Sequence, residues 1–316
     1  MEILDNVKRK TDTEKDYFEV TPDVWGMRIV FANIYMIATG NDKWVLVDAG
    51  LKGSAGRIKA MAADLFGENN PPAAIILTHG HFDHVGALKT LLEDWNVPIY
   101  AHPLEIPYLN GQSSYPPTDP LVGGGLMSLM SIFYPERPID ISEHLHALDT
   151  SGGLPVLTDW HYIHTPGHAP GQIALFRHRD GLLIAGDAFV TTKQESAFSV
   201  AIQKKVISGP PKYFTSDWIA SANSVRTLWQ LHPKIAATGH GRPMYGEELR
   251  KGLDELVNHF DEIAVPSQGR YVNQPAISNK RGVQYVPPRA LSPTLTVALA
   301  ALAGLLTYTL VSQLKK

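Results

Sequence analysis

Four side chains of metal-ligand type, His79, His81, Asp83 and His84, fall within six positions of one another in the stretch IILTHGHFDHVG. An apolar run from Ala74 to Leu77 delivers them, and a helical pattern begins at His84. In an extended or turning backbone His79 and His81 project the same way, because side chains alternate with period two, so both can ligate one cation. Asp83 and His84, beyond the bend, can face a second cation close by. Imidazole and carboxylate groups this dense at the end of a buried strand would repel one another or lie desolvated without a cation. One short turn cannot close two coordination spheres, so further ligands must come from other strand ends. His168 in HTPGHAPGQ, Asp187 ending LLIAGDA and His240 ending IAATGHG all follow one grammar: apolar strand, glycine, ligand. The chain has no cysteine, which excludes disulfides, thiolate nucleophiles and thiolate metal sites and leaves only nitrogen and oxygen ligands.

The elements that must position these groups read as layered α/β, with short β-rich runs alternating with helical patterns through residue 262. Strands are expected at Met27 to Ala38, Trp44 to Asp48, Ala73 to Thr78, Pro98 to Ala101, Trp160 to His164, Ile173 to Arg177, Leu182 to Ala185 and Ile235 to Thr238. Helices are expected at Ser54 to Phe66, His84 to Trp95, Asp217 to Leu231 and Gly246 to Glu262. Residues 110–137 carry Gly123 to Gly125 followed by Met127, Met130, Phe133 and Tyr134. They read either as a mobile apolar lid or as an inserted helix covering the core. The remaining histidines lack the strand, glycine, ligand context; His164 reads as a brace for the turn that carries His168, and Tyr108 or Tyr115 as a hydrogen-bond donor to a reacting oxyanion.

A formal net charge of -3 carries no electrostatic footprint for nucleic acid, so none is expected as a partner. The first twenty residues lack the apolar run of a secretory signal. Residues 263–293 are rich in Pro, Gly, Gln and Asn and read as a flexible linker. Ala290 to Leu314 is 25 residues without a charge, closed by Lys315 and Lys316. That is long enough to span a bilayer as a helix, although its Thr, Ser and Gln residues also suit an interfacial or packed helix. The expected organisation is an N-terminal extension (1–16), a catalytic domain (17–262), the linker (263–293) and a membrane-associated helix (294–314). The expected location is a cytoplasmic catalytic domain tethered by its C-terminus. Ala300 and Gly304 form a small-xxx-small pair that would allow homodimerisation in a bilayer.

The series HGHFDH, TPGH, GD and GHG, in this order, resembles the metallo-β-lactamase superfamily over about residues 17 to 262. The resemblance implies a four-layer αββα sandwich with metals at one edge between the sheets. It implies His79, His81 and His168 at a first metal site and Asp83, His84 and His240 at a second. Asp187 would bridge the two, and Asp48 would lie beside them. The β-lactamases proper lack the bridging aspartate and several use a cysteine ligand, so this chain looks closer to the glyoxalase II, lactonase and phosphodiesterase branches. Two divalent cations are implied, zinc foremost, with iron or manganese as alternatives. A bridging hydroxide would attack an ester, lactone or thioester of a small-molecule substrate, with Asp83 orienting the water and passing its proton. Persulfide dioxygenases resemble glyoxalase II and use one iron, so a mononuclear iron oxidoreductase is the alternative, as is a phosphodiesterase.

Overall fold

Alternation along the strands decides the layering. In the computed structural model, which describes residues 16–289, every position from Ala32 to Ile37 is buried, with successive side chains pointing into different cores. Ile34 and Met36 join one apolar cluster while Tyr35 and Ile37 join another, as period-two geometry requires of a strand covered on both faces. Trp44 and Leu46 alternate with Val45 and Val47 in the same way.

These strands belong to a seven-stranded sheet of order β1-β2-β3-β4-β5-β6-β7. Its members are β1 (Phe18–Thr21), β2 (Val24–Ile29), β3 (Ala32–Gly40), β4 (Lys43–Val47), β5 (Ala74–Ile76), β6 (Ile99–Ala101) and β7 (Leu145–Ala147). The second sheet runs β12-β11-β10-β9-β8, from β8 (Trp160–His164), β9 (Ile173–Arg177), β10 (Leu182–Ile184), β11 (Ile235–Ala237) and β12 (Met244–Tyr245). Between the sheets Val45, Val47 and Ile76 meet Leu175, Leu182 and Ile184. Helices α1 (Ala55–Phe66), α2 (Phe82–Val85) and α3 (Leu88–Leu92) follow in the first half of the chain. Ile58 and Leu91, of α1 and α3, cover the outer face of the first sheet. The short helices α4 (Ile106–Leu109), α5 (Leu126–Met130) and α6 (Ala197–Ile202) lie in connecting segments. Val225 and Leu228 of α7 (Trp218–Gln230) and Leu249 and Leu253 of α8 (Gly246–Asn258) cover the second sheet. The layers are therefore helix, sheet, sheet, helix.

Three expectations are corrected. The single strand expected from Met27 to Ala38 is a hairpin, β2 and β3, with Ile29 opposite Ala32 across a two-residue turn. Val30 takes φ 60° there, a left-handed conformation that β-branched residues rarely adopt, so the sequence carries no turn signal. The helix expected from His84 to Trp95 is broken at Gly86, whose N–H donates to the Gly50 carbonyl at 2.7 Å. A Cβ at Gly86 would overlap the backbone of Lys52. The third concerns the expected flexible linker, which to residue 289 is folded onto the domain. After α9 (Phe260–Ile263), Ala264 and Tyr271 are buried in the outer core of the second sheet, and β13 (Ile277–Asn279) pairs with β14 (Gly282–Tyr285). Composition misled because a few apolar side chains among many polar ones, Ala264 and Tyr271 foremost, are enough to anchor the segment.

The expected C-terminal apolar helix lies outside the described residues, among which no helix is long and apolar enough to cross a membrane. Tyr271 tests the strap directly, since its hydroxyl donates to the Pro117 carbonyl at 2.6 Å and its ring is buried. Tyr271→Ala is expected to cost about 3 kcal/mol of unfolding free energy in urea melts, whereas a substitution in a free linker would change it by less than about 0.5 kcal/mol.

Candidate metal centre

β8 and β10 each run antiparallel to β9, and β11 runs parallel to β10, so all three deliver their C-terminal ends to one edge. His168 follows β8, Asp187 follows β10 and His240 follows β11, while the HGHFDH turn arrives there from β5 in the facing sheet. A backbone bond from Ile173 N to Thr78 O, 2.9 Å, stitches the two sheets beside it. All seven ligand-type side chains meet at this edge, and none is more than 4% exposed. Ligand atoms of His79, His81 and His168 lie within 4.8 Å of one another, as do those of His79, His84 and Asp187 and those of Asp83, His84 and His240. Asp187 Oδ2 stands among them, 2.9 Å from His240 Nε2, 3.5 Å from His168 Nε2 and 3.7 Å from His84 Nε2.

Hydrogen bonds on the outer nitrogens assign the tautomers. His84 Nδ1 donates to Asp48 Oδ2 at 2.8 Å and His240 Nδ1 to the Phe31 carbonyl at 2.8 Å. Thr78 Oγ1 donates to Asp48 Oδ2, and Thr215 Oγ1 to the Pro211 carbonyl, so each hydroxyl accepts from an imidazole. His79 Nδ1 lies 3.1 Å from Thr78 Oγ1 and His168 Nδ1 3.4 Å from Thr215 Oγ1. Four imidazoles thus set Nδ1 on an outer oxygen and turn Nε2 inward, the arrangement that metal-ligating histidines use. His81 instead turns Nδ1 inward, 2.9 Å from His168 Nε2.

The inner atoms fit divalent cations. His79 Nε2, His84 Nε2 and Asp187 Oδ1 are fully buried without a hydrogen-bond partner, and each such group costs about 1–3 kcal/mol unless something satisfies it. Burial, reinforced by neighbouring imidazoles, holds His79 and His81 well below the usual histidine range, and burial pushes His168 down to about 3. These three are neutral at physiological pH, the state a ligand needs. Burial would lower His84 and His240 as well, but the carboxylates of Asp187 and Asp83, with Asp48 beside His84, together outweigh it and raise both. Asp187 is held well below the carboxylate range by His240 and His84 against the opposing effect of burial. Asp83 is raised, chiefly by burial.

The family model described as the metallo-beta-lactamase superfamily matches residues 27–240. The chain belongs to that superfamily. Its relatives include the probable metallo-hydrolase YflN of Bacillus subtilis (strain 168), 45% identical over 78% of this chain and 94% of that protein. YybB, another probable metallo-hydrolase of the same organism, is 30% identical over 69% of this chain and 84% of its own length. Among solved structures, a metallo-beta-lactamase family protein from Thermus thermophilus is 20% identical with a TM-score of 0.53, covering 77% of this chain and 81% of that one. A beta-lactamase domain protein from Burkholderia ambifaria is 21% identical with the same TM-score of 0.53, over 80% and 75%. These two likenesses are of fold.

Beyond the superfamily's motif residues, the structure brings in groups that no motif announces. Glu105, fully buried, accepts from Gly80 N at 2.9 Å and from Gly171 N at 2.7 Å, and Tyr115 donates to it as well. One carboxylate therefore clamps the turn that carries His79 and His81 to the turn that carries His168. Tyr115 is committed to this contact and to Gly80 N, which removes it as the expected donor to an oxyanion. Tyr108 stacks behind it at 3.9 Å. His164 stacks on His102 at 4.0 Å and pairs with the Pro170 carbonyl at 2.9 Å, bracing the His168 turn as expected. Phe214 lies against the His81 ring at 4.4 Å.

Burial raises Glu105 from 4.5 to about 7. The folded chain therefore keeps a proton that the unfolded chain releases, so this group's contribution to stability declines as pH rises from about 4.5 to about 7. Glu105→Gln turns an amide NH2 against a backbone N–H. It is expected to flatten the pH dependence of Tm across that window and to weaken metal binding by about 10–100-fold in chelator competition. At Gly239 a Cβ would overlap Asp187 Oδ1, so Gly239→Ala is expected to abolish metal uptake while circular dichroism remains that of the native fold.

Proposed function

We propose that this metallo-hydrolase of the metallo-beta-lactamase superfamily uses a pair of divalent cations, zinc foremost, to hydrolyse a lactone, thioester or related ester. His79, His81 and His168 would hold one cation and Asp83, His84 and His240 the other, with Asp187 shared. The feature that supports the pairing is the position of Asp187 Oδ2, within 3.7 Å of imidazole nitrogens from both groups. A single-cation site would leave half of these buried groups without a counter-charge. Cations bound there would supply Lewis acidity, acidifying water and polarising the substrate oxygen.

The chain's own residues do the rest. Asp83 is buried 3.6 Å from His240 Nε2 and raised by burial, which suits a carboxylate that orients the attacking water and then carries its proton to the leaving oxygen or, in a thioester, sulfur. Asp48 accepts from Thr78 N at 2.7 Å as well as from His84, keeping the imidazole aimed inward while the reaction proceeds. Phe82, Tyr134 and Phe214 pack as an aromatic wall beside His81, excluding water and favouring an apolar acyl group next to the scissile bond.

Elemental analysis of the purified protein is expected to give close to two zinc or manganese ions per chain and at most one for Asp187→Asn. Asp83→Asn should hold the cation shared with His84 and His240 more weakly in chelator competition and, with metal in excess, lose about 100-fold or more in turnover of lactone or thioester substrates. A single iron with oxygen consumption on thiol substrates would instead establish the oxidoreductase reading.

A further inference from the structure

Two short helical segments beside the metal centre turn large apolar side chains to solvent. On α5 and the turn after it, Leu129, Ile132 and Phe133 are exposed, Phe133 by 75%. On α6, Phe198 is 70% and Ile202 53% exposed. The segments adjoin, since Met127 N donates to the Glu195 carbonyl at 3.1 Å and Gly124 packs on the Glu195 side chain. Both border the mouth of the site. Met127 and Tyr134 pack inward against Phe82 and Phe214, and the strand-like run before α6 bonds the His240 carbonyl through Thr191 N at 3.1 Å. Isolated exposed apolar residues are ordinary, but large ones concentrated on adjoining helices mark an interaction surface.

The border of this face is basic. Lys193, Lys204 and Lys205 flank α6 and are exposed, and Lys205 also lines a groove of about 850 Å³ with Arg28, Arg57 and Arg242. Asp16 and Glu19 are the acidic side chains in the same lining, so cations outnumber anions there. Val30, held at φ 60°, projects into this groove at 66% exposure. Apolar side chains bordered on the α6 side by lysines, with Arg28 and Arg242 in the adjoining groove and Arg57 there paired with Asp16, match an anionic lipid surface, where hydrocarbon meets negatively charged headgroups. The sequence continues beyond the described residues with the uncharged run Ala290 to Leu314, ending in Lys315 and Lys316, which would supply a second membrane contact; stable attachment generally takes two.

We propose that the face formed by α5, its following turn and α6 docks on an anionic lipid surface and sets the mouth of the metal centre against the bilayer. The docking is a property of the outer face and does not depend on which bond the centre cleaves. Lysine contacts make it salt-sensitive, whereas the apolar contacts persist at high salt.

The absence of cysteine allows a single reporter. Phe133→Cys in the full chain, labelled with an environment-sensitive fluorophore, is compared with Glu255→Cys on the exposed side of α8. With vesicles of phosphatidylglycerol mixed with phosphatidylcholine, the label at 133 is expected to shift to shorter wavelength and to be quenched by brominated lipid, while the label at 255 does neither. Vesicles of phosphatidylcholine alone should give a weaker response. Phe198→Asp with Ile202→Asp should weaken vesicle binding by about tenfold or more, the loss expected when a large apolar side chain no longer enters the lipid, with metal content and Tm unchanged. The proposal is overturned if the chain sediments with vesicles while the label at 133 stays in water, because the C-terminal run then binds alone. It is equally overturned if the label is already shielded without lipid. Shielding that dilution releases would identify a second copy of the chain as the occupant, and shielding that dilution leaves intact would identify the chain's own C-terminal run.

Discussion

Seven ionisable side chains buried together at one sheet edge are the constraint that the rest of the structure answers to. Desolvated imidazoles and carboxylates are tolerable only when each outer atom has a hydrogen-bond partner and each inner atom has a counter-charge. The outer partners come from far along the chain. Asp48 ends β4 in a left-handed conformation, φ 60°, which an aspartate accepts more readily than most residues, and this turns one carboxylate toward both Thr78 and His84.

The same demand explains how the two sheets are joined. Asn33 on β3 reaches across to the Thr238 and Gly241 carbonyls at 2.9 and 2.7 Å, and Tyr35 on the same strand donates to Thr238 O at 2.7 Å. The loop that carries His240 is therefore held by the opposite sheet as well as by its own side, where Gly239 N donates to the Gly186 carbonyl at 2.8 Å. Glu105 does the corresponding task on the other side, tying the His79 and His81 turn to the His168 turn. Rigid positioning of ligands ahead of binding lowers the reorganisation needed when cations and substrate arrive.

Segments that cover this edge serve two environments at once. The inner side of residues 126–134 completes the aromatic wall beside His81, while the outer side exposes apolar residues that a free surface would not favour. The sequence left residues 110–137 open between a lid and an inserted helix. The structure has a five-residue helix and a turn that pack inward on one side only.

What the sequence determined by itself was the local grammar. Apolar strand, glycine and ligand recur at His168, Asp187 and His240 because a buried strand must end in a tight turn before a polar group can face its neighbours, and that grammar is written in consecutive residues. The helices over 55–66, 218–230 and 246–258 were legible for the same reason, through three- and four-residue apolar spacing. Tertiary structure alone decided what depends on distant partners. Glu105, Thr78, Thr215 and the Phe31 carbonyl carry no motif, and their roles exist only because folding sets them against the ligand histidines. The β2–β3 turn at Val30 and the strap after residue 263 were misread because left-handed backbone on a β-branched residue, and anchoring by a few side chains such as Tyr271, are stabilised by contacts that no window of neighbouring residues contains.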